Sequence, residues 1–390
     1  MDTLSARTDQ LVGSVIDSST SLLQQQSHDI VRFAMGSPAA EAVPAAIFEE
    51  LAAKAYTCDA FDYAATEGDP RLRQALLDLV PTMGEPTTSQ RLTITSGGMQ
   101  GLDLFGKLFI DRGDLVVVES PTYTNGSATA LAYGAQLLEV GVDDDGLIID
   151  ELEAAVARAG RTPKAIYVIP TFQNPSGRTL SLERRLRLIE LARRWRSMII
   201  DDDPYGMLRF GGEQIPSLLA LAEGDPLVFA VRTFSKILAP GLRVGWVDCA
   251  PELQPLLISA KQTMDTCTNL PNQRLIAGFL GDGHLADHLS LQRDRYRDRK
   301  LAMQQALHAH FAGRATWTDP DGGFFLWVEL PGIDTQALFP AALAAGVAYI
   351  PGPAFSPSGR FGQALRLCFA STAPDRIVEG VDRLRRAIDD

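Results

Sequence analysis

The chain has 390 residues, 46% of them hydrophobic and 22% charged, which describes a globular protein with a large domain and a smaller one and excludes a disordered or membrane-embedded chain. A net charge of −12 argues against nucleic acid as a partner, because a phosphate backbone calls for a basic surface, yet a few local arginines and backbone N–H groups could still hold a small anion. The four cysteines, Cys58, Cys249, Cys267 and Cys368, form no CxxC pair, so neither a disulfide framework nor a metal site is expected.

In chain order, the N-terminus lacks a basic start followed by an apolar core, and no apolar run reaches membrane-spanning length. A cytoplasmic protein with no membrane contact is therefore expected. Residues 1–35 carry a loosely amphipathic stretch (Leu11, Val15, Ile16, Leu22, Leu23) that ends before Met35-Gly36-Ser37-Pro38. From about Leu92, short β-branched runs alternate with helical patterns: LTIT, LVVVES, QLLEVGV, AIYVIP, SMIIDDD, LVFAVRTFS and VGWVDC. The clearest helix is Leu182–Trp195, with Leu186, Ile189, Leu191 and Ala192 as its expected inner face. Such alternation predicts a mostly parallel sheet covered on both sides, with ligands at the carboxyl ends of its strands. A long helix is expected from about His284 to Phe311, then a small sheet from GGFFLWVEL, VAYIPG and LRLCFA, and a closing helix near Asp375–Ala387. The chain divides into an N-terminal segment (1–45) that joins the small domain and the substrate pocket, a large domain (46–280) and a C-terminal small domain (281–390).

The chemistry sits where these strands end. SMII runs into Asp201-Asp202-Asp203, three carboxylates that repel one another unless at least one meets a positive partner. LVFAVRTFS delivers Lys236, with Thr233 and Ser235 beside it and Arg243 one loop later. A lone lysine is ordinarily a solvated surface charge, but the flanks here, TFS and ILAPGL, are largely apolar. An amine, a carboxylate and an arginine in separate strand-end loops are what pyridoxal 5′-phosphate (PLP) requires: a nucleophilic amine for its aldehyde, an acid for its ring nitrogen and a phosphate anchor.

Eight motifs in order carry a resemblance from about Phe33 to the C-terminus: F-x-x-G-x-P (Phe33 to Pro38), Y-x-x-T-E-G (Tyr63 to Gly68), E-x-P-T-Y (Glu119 to Tyr123), Q-N-P-S-G (Gln173 to Gly177), D-D-P-Y (Asp202 to Tyr205), S-K-x-x-x-P-G-L-R-x-G (Ser235 to Gly245), G-G-F-F-L-W (Gly322 to Trp327) and L-R-L (Leu365 to Leu367). The chain resembles the fold-type I PLP-dependent aminotransferases of class I/II, on the branch with aminoadipate, kynurenine and aromatic aminotransferases. The resemblance implies an α/β fold: a large domain with a mostly parallel seven-stranded sheet between helices, and a smaller α/β domain built from both termini. It implies Lys236 as the Schiff-base lysine, Asp202 on the pyridine nitrogen, Tyr205 and Asn174 on the ring hydroxyl, and Tyr123 stacked on the ring as a member of the catalytic set. Arg243, Ser235 and Thr233 would hold the phosphate together with the turn Gly97-Gly98-Met99, and Tyr63 would reach the phosphate of a neighbouring subunit in a homodimer with shared sites. Arg366 would clamp the substrate carboxylate, with Gly36 and Asn174 lining the substrate pocket. Without the resemblance, N-P-S-G reads as a turn, Tyr123 as a half-buried core aromatic and Arg366 as a strand arginine.

Two positions depart from the branch. Its phosphate turn is commonly G-S-Q, whereas Gly97-Gly98-Met99 keeps the backbone N–H groups and loses a hydroxyl and an amide; Gln100 is a candidate substitute. Its S-x-I-R-E helix reads Ser14-Val15-Ile16-Asp17-Ser18 here, so an anion stands where an arginine can recognise an acidic substrate, and this favours a basic or neutral polar amino donor. Transamination between an α-amino acid and a 2-oxo acid is the expected reaction. The alternative on the same fold is elimination or substitution at Cβ or Cγ, cyclisation, decarboxylation or racemisation. A ligand-sensing module fused to a winged-helix domain is a different class, and the stretch before Gly36 is too short for one.

Overall fold

The computed structural model describes residues 3–5, 8, 11, 13 and 27–390. Of the N-terminal amphipathic stretch only Leu11 falls among them, and Asp17 lies outside the described residues. Strand β1 (Val31–Arg32) comes first, followed by the eight strands of the large sheet: β2 (Leu92–Thr95), β3 (Leu115–Ser120), β4 (Gln136–Asp143), β5 (Gly146–Leu147), β6 (Ala165–Val168), β7 (Met198–Asp202), β8 (Val228–Thr233) and β9 (Gly245–Asp248). Their order across the sheet is β2-β9-β8-β7-β6-β3-β4-β5. Strands β4, β3, β6, β7 and β8 pair in parallel, whereas β9 runs antiparallel to both of its neighbours. Seven of these strands coincide with the seven β-branched runs. The eighth, β5, is a two-residue edge strand turned back on β4, too short to show a periodicity.

Every residue of β3, β6, β7 and β8 is buried, as expected of strands covered on both faces. The two faces pack separate cores, one around Val116, Val118, Phe229 and Trp246, the other around Val117, Ile166, Ile199 and Leu188. The helix Leu182–Trp195 has the predicted span, and Ile189, Leu191 and Ala192 of its predicted inner face are buried, but Leu186 is not. Leu186 is 49% exposed, and Arg185 takes the buried position with Leu188, Ile189 and Ala192. The correction has a polar cause. Arg185 donates to the carbonyl oxygens of Leu180 (2.9 Å), Pro170 (2.8 Å) and Pro216 (3.0 Å), loop acceptors that pair its buried guanidinium.

The smaller sheet comprises β10 (Thr316–Trp317), β11 (Phe325–Glu329), β13 (Ile350–Pro351) and β14 (Ala364–Cys368), antiparallel in the order β10-β11-β14-β13, while β12 (Val347–Ala348) pairs in parallel with β1. The single run VAYIPG thus serves two sheets. At the break, Tyr349 turns its hydroxyl to Thr335 O at 2.6 Å. The 28-residue helix His284–Phe311 and the closing helix Pro374–Asp389 pack on each other beside this sheet.

Candidate active site

Strand ends from both sheets converge on one cleft of about 210 Å³. Asp202 ends β7, Lys236 and Ser235 follow β8, Asn174 lies in the turn after β6, Tyr123 follows β3 and Arg366 is the centre of β14. All of these line the cleft, as do Gly36, Gly98, Met99, Thr233, Tyr205 and Arg243. This is the position that open parallel sheets reserve for ligands, beyond their carboxyl ends.

At one end stands an anion cradle. Gly97 takes φ +82° as N-cap of the helix Gly98–Phe109, whose first-turn N–H groups have no intrahelical acceptor. A Cβ at Gly97 would lie 2.9 Å from Arg243 Cζ, so glycine is required for the guanidinium to close over the turn. Arg243 Nη2 donates to Ser96 O at 3.2 Å and Nη1 to Ser235 Oγ at 3.4 Å. Thr233 Oγ1 donates to Ser235 Oγ at 2.9 Å and so sets that hydroxyl. Gln100 is engaged behind the turn, where Oε1 accepts from Ser96 N (2.8 Å) and from the buried Lys261 Nζ (2.9 Å). Met99 instead meets a tyrosine of the cleft: Tyr123 Oη donates to Met99 Sδ at 3.8 Å.

In the middle stand the amine and the acid. Burial lowers the Lys236 amine to about 8, and Arg366 and Arg243 add to the effect, so a usable fraction is neutral near physiological pH. Its Nζ donates to Gly36 O at 2.6 Å. Burial raises the Asp202 carboxyl to about 7. The pleat turns Asp202 toward the cleft and its neighbours away. Asp201 pairs with Arg232 at 2.9 Å on the reverse face, beside Glu85, and Asp203 accepts from Tyr205 N (3.1 Å) and Gly206 N (2.7 Å). Arg232 is the positive partner that the acidic run demanded.

At the far end Arg366 is buried. Nη1 donates to Asn174 Oδ1 (2.9 Å), Nη2 to Ala34 O (2.7 Å), and the guanidinium lies 4.2 Å from the Phe325 ring centroid and 5.0 Å from that of Phe355. Its Nε has no hydrogen-bond partner among the described residues. Asn174 is held by the residue before it. Gln173 Oε1 accepts from Ser176 N (2.9 Å) and Oγ (2.6 Å), and Gln173 Nε2 donates to Pro121 O (2.7 Å).

Tyr63 is not brought into this cleft; it is 82% exposed on the chain surface. Two groups behind the cleft were given no role in the sequence. Tyr167 Oη donates to Asp202 Oδ2 at 2.8 Å, and Glu119 Oε2 accepts from Ile169 N (3.0 Å) and Gln173 Nε2 (3.3 Å). The available signal was compositional: Tyr167 is the one hydroxyl in the aliphatic run AIYV.

The donor set fits a phosphorylated pyridine aldehyde. An anion cradle, a depressed amine, a buried acid with one oxygen still open to the cleft and an arginine with an unpaired Nε lie in sequence along one cavity. Among the described residues no cluster suited to a metal ion is present, and no helix is long and apolar enough to cross a membrane.

Comparison with known proteins agrees. The model of the family described as aminotransferase class I and II matches residues 28–384. The chain is 37% identical to aromatic-amino-acid aminotransferase 1 of Thermococcus litoralis, over 93% of this chain and 89% of that one. The solved structure of Pyrococcus horikoshii kynurenine aminotransferase, in complex with PMP, KYN as substrate and KYA as product, matches with a TM-score of 0.93 at 34% identity, covering 100% of this chain and 97% of that one. An α-aminoadipate aminotransferase of Thermus thermophilus, complexed with N-(5′-phosphopyridoxyl)-L-leucine, matches with a TM-score of 0.91 at 34% identity, covering 100% and 97%.

Proposed function

Because the chain belongs to the aminotransferase class I and II family, we propose that Lys236, Asp202 and Arg366 carry its PLP-dependent transfer of an amino group between an α-amino acid and a 2-oxo acid. The observation that carries this assignment is their shared cleft, in which the amine is held at about 8 and the acid at about 7. When bound, the cofactor supplies an electrophilic carbon and an electron-accepting ring. Lys236 Nζ would hold that carbon, and once released the same amine would take the proton from the substrate Cα and give one back on the cofactor side. Asp202 would keep the ring nitrogen protonated. Arg366 would orient the substrate carboxylate, and Asn174 and Tyr205 would hold the ring hydroxyl. Tyr123 would cover one ring face. Gly97, Gly98, Met99, Thr233, Ser235 and Arg243 would hold the phosphate.

Single-turnover assays with donor alone test the reading. Pyridoxamine phosphate and 2-oxo acid are expected to accumulate in equal amounts, and Lys236→Ala is expected to abolish both the turnover and the visible cofactor band. A Lys236→Ala protein that retains turnover would overturn the assignment.

An uncharged donor side chain fits the cleft best. Beyond the groups already assigned, its described walls are Met35, Ser37, Leu102, Ile169, Pro204, Pro240 and Phe325, none of them charged. Aromatic and large aliphatic amino acids are expected to outrun glutamate and lysine in a donor panel. Preference for either charged donor would overturn this reading.

The protein acts as a cytoplasmic homodimer on this reading. Tyr56, Phe61 and Tyr63 leave an exposed aromatic patch in one short stretch, which supports a partner subunit covering it and receiving Tyr63 at its phosphate. The four free cysteines suit a reducing compartment. Sedimentation of the loaded protein is expected to give a dimer; a monomer with full activity would exclude shared sites.

A further inference from the structure

Asp202 has a single side-chain hydrogen bond among the described residues, and it comes from Tyr167. The phenol reaches it from the neighbouring strand: β6 and β7 pair in parallel with Tyr167 opposite Ile200, and the bond runs diagonally to Asp202 two residues on. The contact is fully enclosed, with Tyr167 2% exposed and Asp202 8% exposed. The chain also makes room for it. Gly126, in the first turn of the helix Thr124–Ala132 that follows Tyr123, sits against the phenol, and a Cβ there would lie 2.6 Å from Tyr167 Cζ and closer still to its oxygen. No side chain larger than hydrogen leaves the phenol in place.

We propose that Tyr167 is the positioning residue of the cofactor-nitrogen site: it fixes Asp202 by Oδ2 so that Oδ1 alone is presented to the ring, and Gly126 is the vacancy that lets it do so. The inference rests on the assignment of Asp202 to the ring nitrogen given above. Three facts favour it over a purely structural role. A phenol buried in an aliphatic strand is costly unless it is paired, and here its partner is the one carboxylate that faces the cleft. A carboxylate held at one oxygen loses the rotation that would otherwise be frozen when the cofactor binds. The donor also shares the negative charge of the carboxylate, which tunes the potential that Asp202 projects along the ring. Around the phenol, Tyr123 and Glu119 act on it besides Asp202, and Arg232 acts on Asp202 from the far side of the strand.

The experiment compares Tyr167→Phe, Gly126→Ala and Asp202→Asn with the parent protein. It reads the affinity of each cofactor-free protein for PLP by fluorescence titration, and the pH midpoint of the visible band of each loaded protein. Tyr167→Phe is expected to weaken PLP binding about tenfold, the scale of one hydrogen bond to a charged group. It should also move the band midpoint upward, because a carboxylate that no longer shares its charge presents a more negative potential. Gly126→Ala, which keeps the phenol and displaces it, is expected to reproduce both effects. A stabilising phenol with no cofactor role would alter the melting temperature of the cofactor-free protein and leave the band midpoint unmoved. If both variants match the parent in affinity and midpoint while Asp202→Asn weakens binding, the role of Tyr167 is overturned. If Asp202→Asn also binds as the parent does, the assignment of Asp202 fails and the inference with it.

Discussion

Arg366 Nη1 lies 2.9 Å from Asn174 Oδ1, and this contact ties the smaller sheet to the larger one inside the cleft. The arginine comes from β14, the amide from the turn after β6. The group proposed for the cofactor hydroxyl and the group proposed for the substrate carboxylate are therefore mechanically joined.

Breaking that joint is expected to affect substrate before chemistry. Asn174→Ala leaves a buried guanidinium with one acceptor fewer, a loss of about 1–3 kcal/mol. The KM for the amino donor should rise about tenfold, with a smaller fall in kcat, in steady-state assays at saturating PLP. An unchanged KM would mean that Arg366 holds its pose through Ala34 O alone.

The depressed Lys236 amine predicts how the cofactor-free protein takes up PLP. Only the neutral amine attacks an aldehyde, and burial has already lowered its pKa to about 8. The rate of reconstitution is expected to rise with pH and level off above that value, as followed by stopped-flow absorbance. A profile that rises steadily toward the ordinary lysine range would contradict the burial argument.

Asp202 predicts a pH dependence of opposite origin. Its folded pKa, about 7, is raised by burial above the unfolded value, so unfolding releases its proton. The stability it contributes is complete below the unfolded pKa and is lost as pH rises through about 7. In the cofactor-free protein, Asp202→Asn should therefore melt higher than the parent at pH above 7, with the gap closing toward acid. Calorimetry across that range checks the sign; a gap that widens toward acid would refute it.

Met99 sits in the Gly97-Gly98-Met99 turn proposed to hold the phosphate, and it contacts Tyr123 through sulfur. Met99→Gln adds a donor at the cradle and is expected to tighten PLP binding about fivefold, on the scale of one neutral hydrogen bond. Equilibrium dialysis reads the change. Weaker binding would show that the sulfur contact, by seating Tyr123, matters more than an added amide.

Much of this was legible in the sequence because parallel strands advertise themselves. β-Branched runs located β2 to β4 and β6 to β9, and the residues just past β2, β3, β6, β7 and β8 share one cleft. What the sequence hid were relationships across the sheet. Nothing along the chain links Tyr167 to Asp202, because the phenol looks like any buried aromatic until the β6–β7 register brings the two together. Arg185 and Leu186 exchanged places because hydropathy ranks a guanidinium as surface, whereas three loop carbonyl oxygens made the interior its better solvent. VAYIPG read as one strand because its pattern is continuous; only the Tyr349 hydroxyl bond shows where it changes sheet.

The run Asp201-Asp202-Asp203 has a consequence for how freely this site can be altered. Its outer two acids are balanced on the far side of the sheet, one by Arg232 and the other by backbone N–H groups, so the sheet acts as an insulating wall between two circuits of charge. On Asp202 the pull of Arg232 is countered by the push of Asp201 and Asp203. The working acid is thus left to be set by what stands in front of it and by the one phenol behind. Changes within the cleft can retune or abolish its chemistry while the ionic foundation under the strand stays intact. The reverse does not hold: a change at Arg232 or Asp201 would strand buried charge and disturb the strand that carries the site.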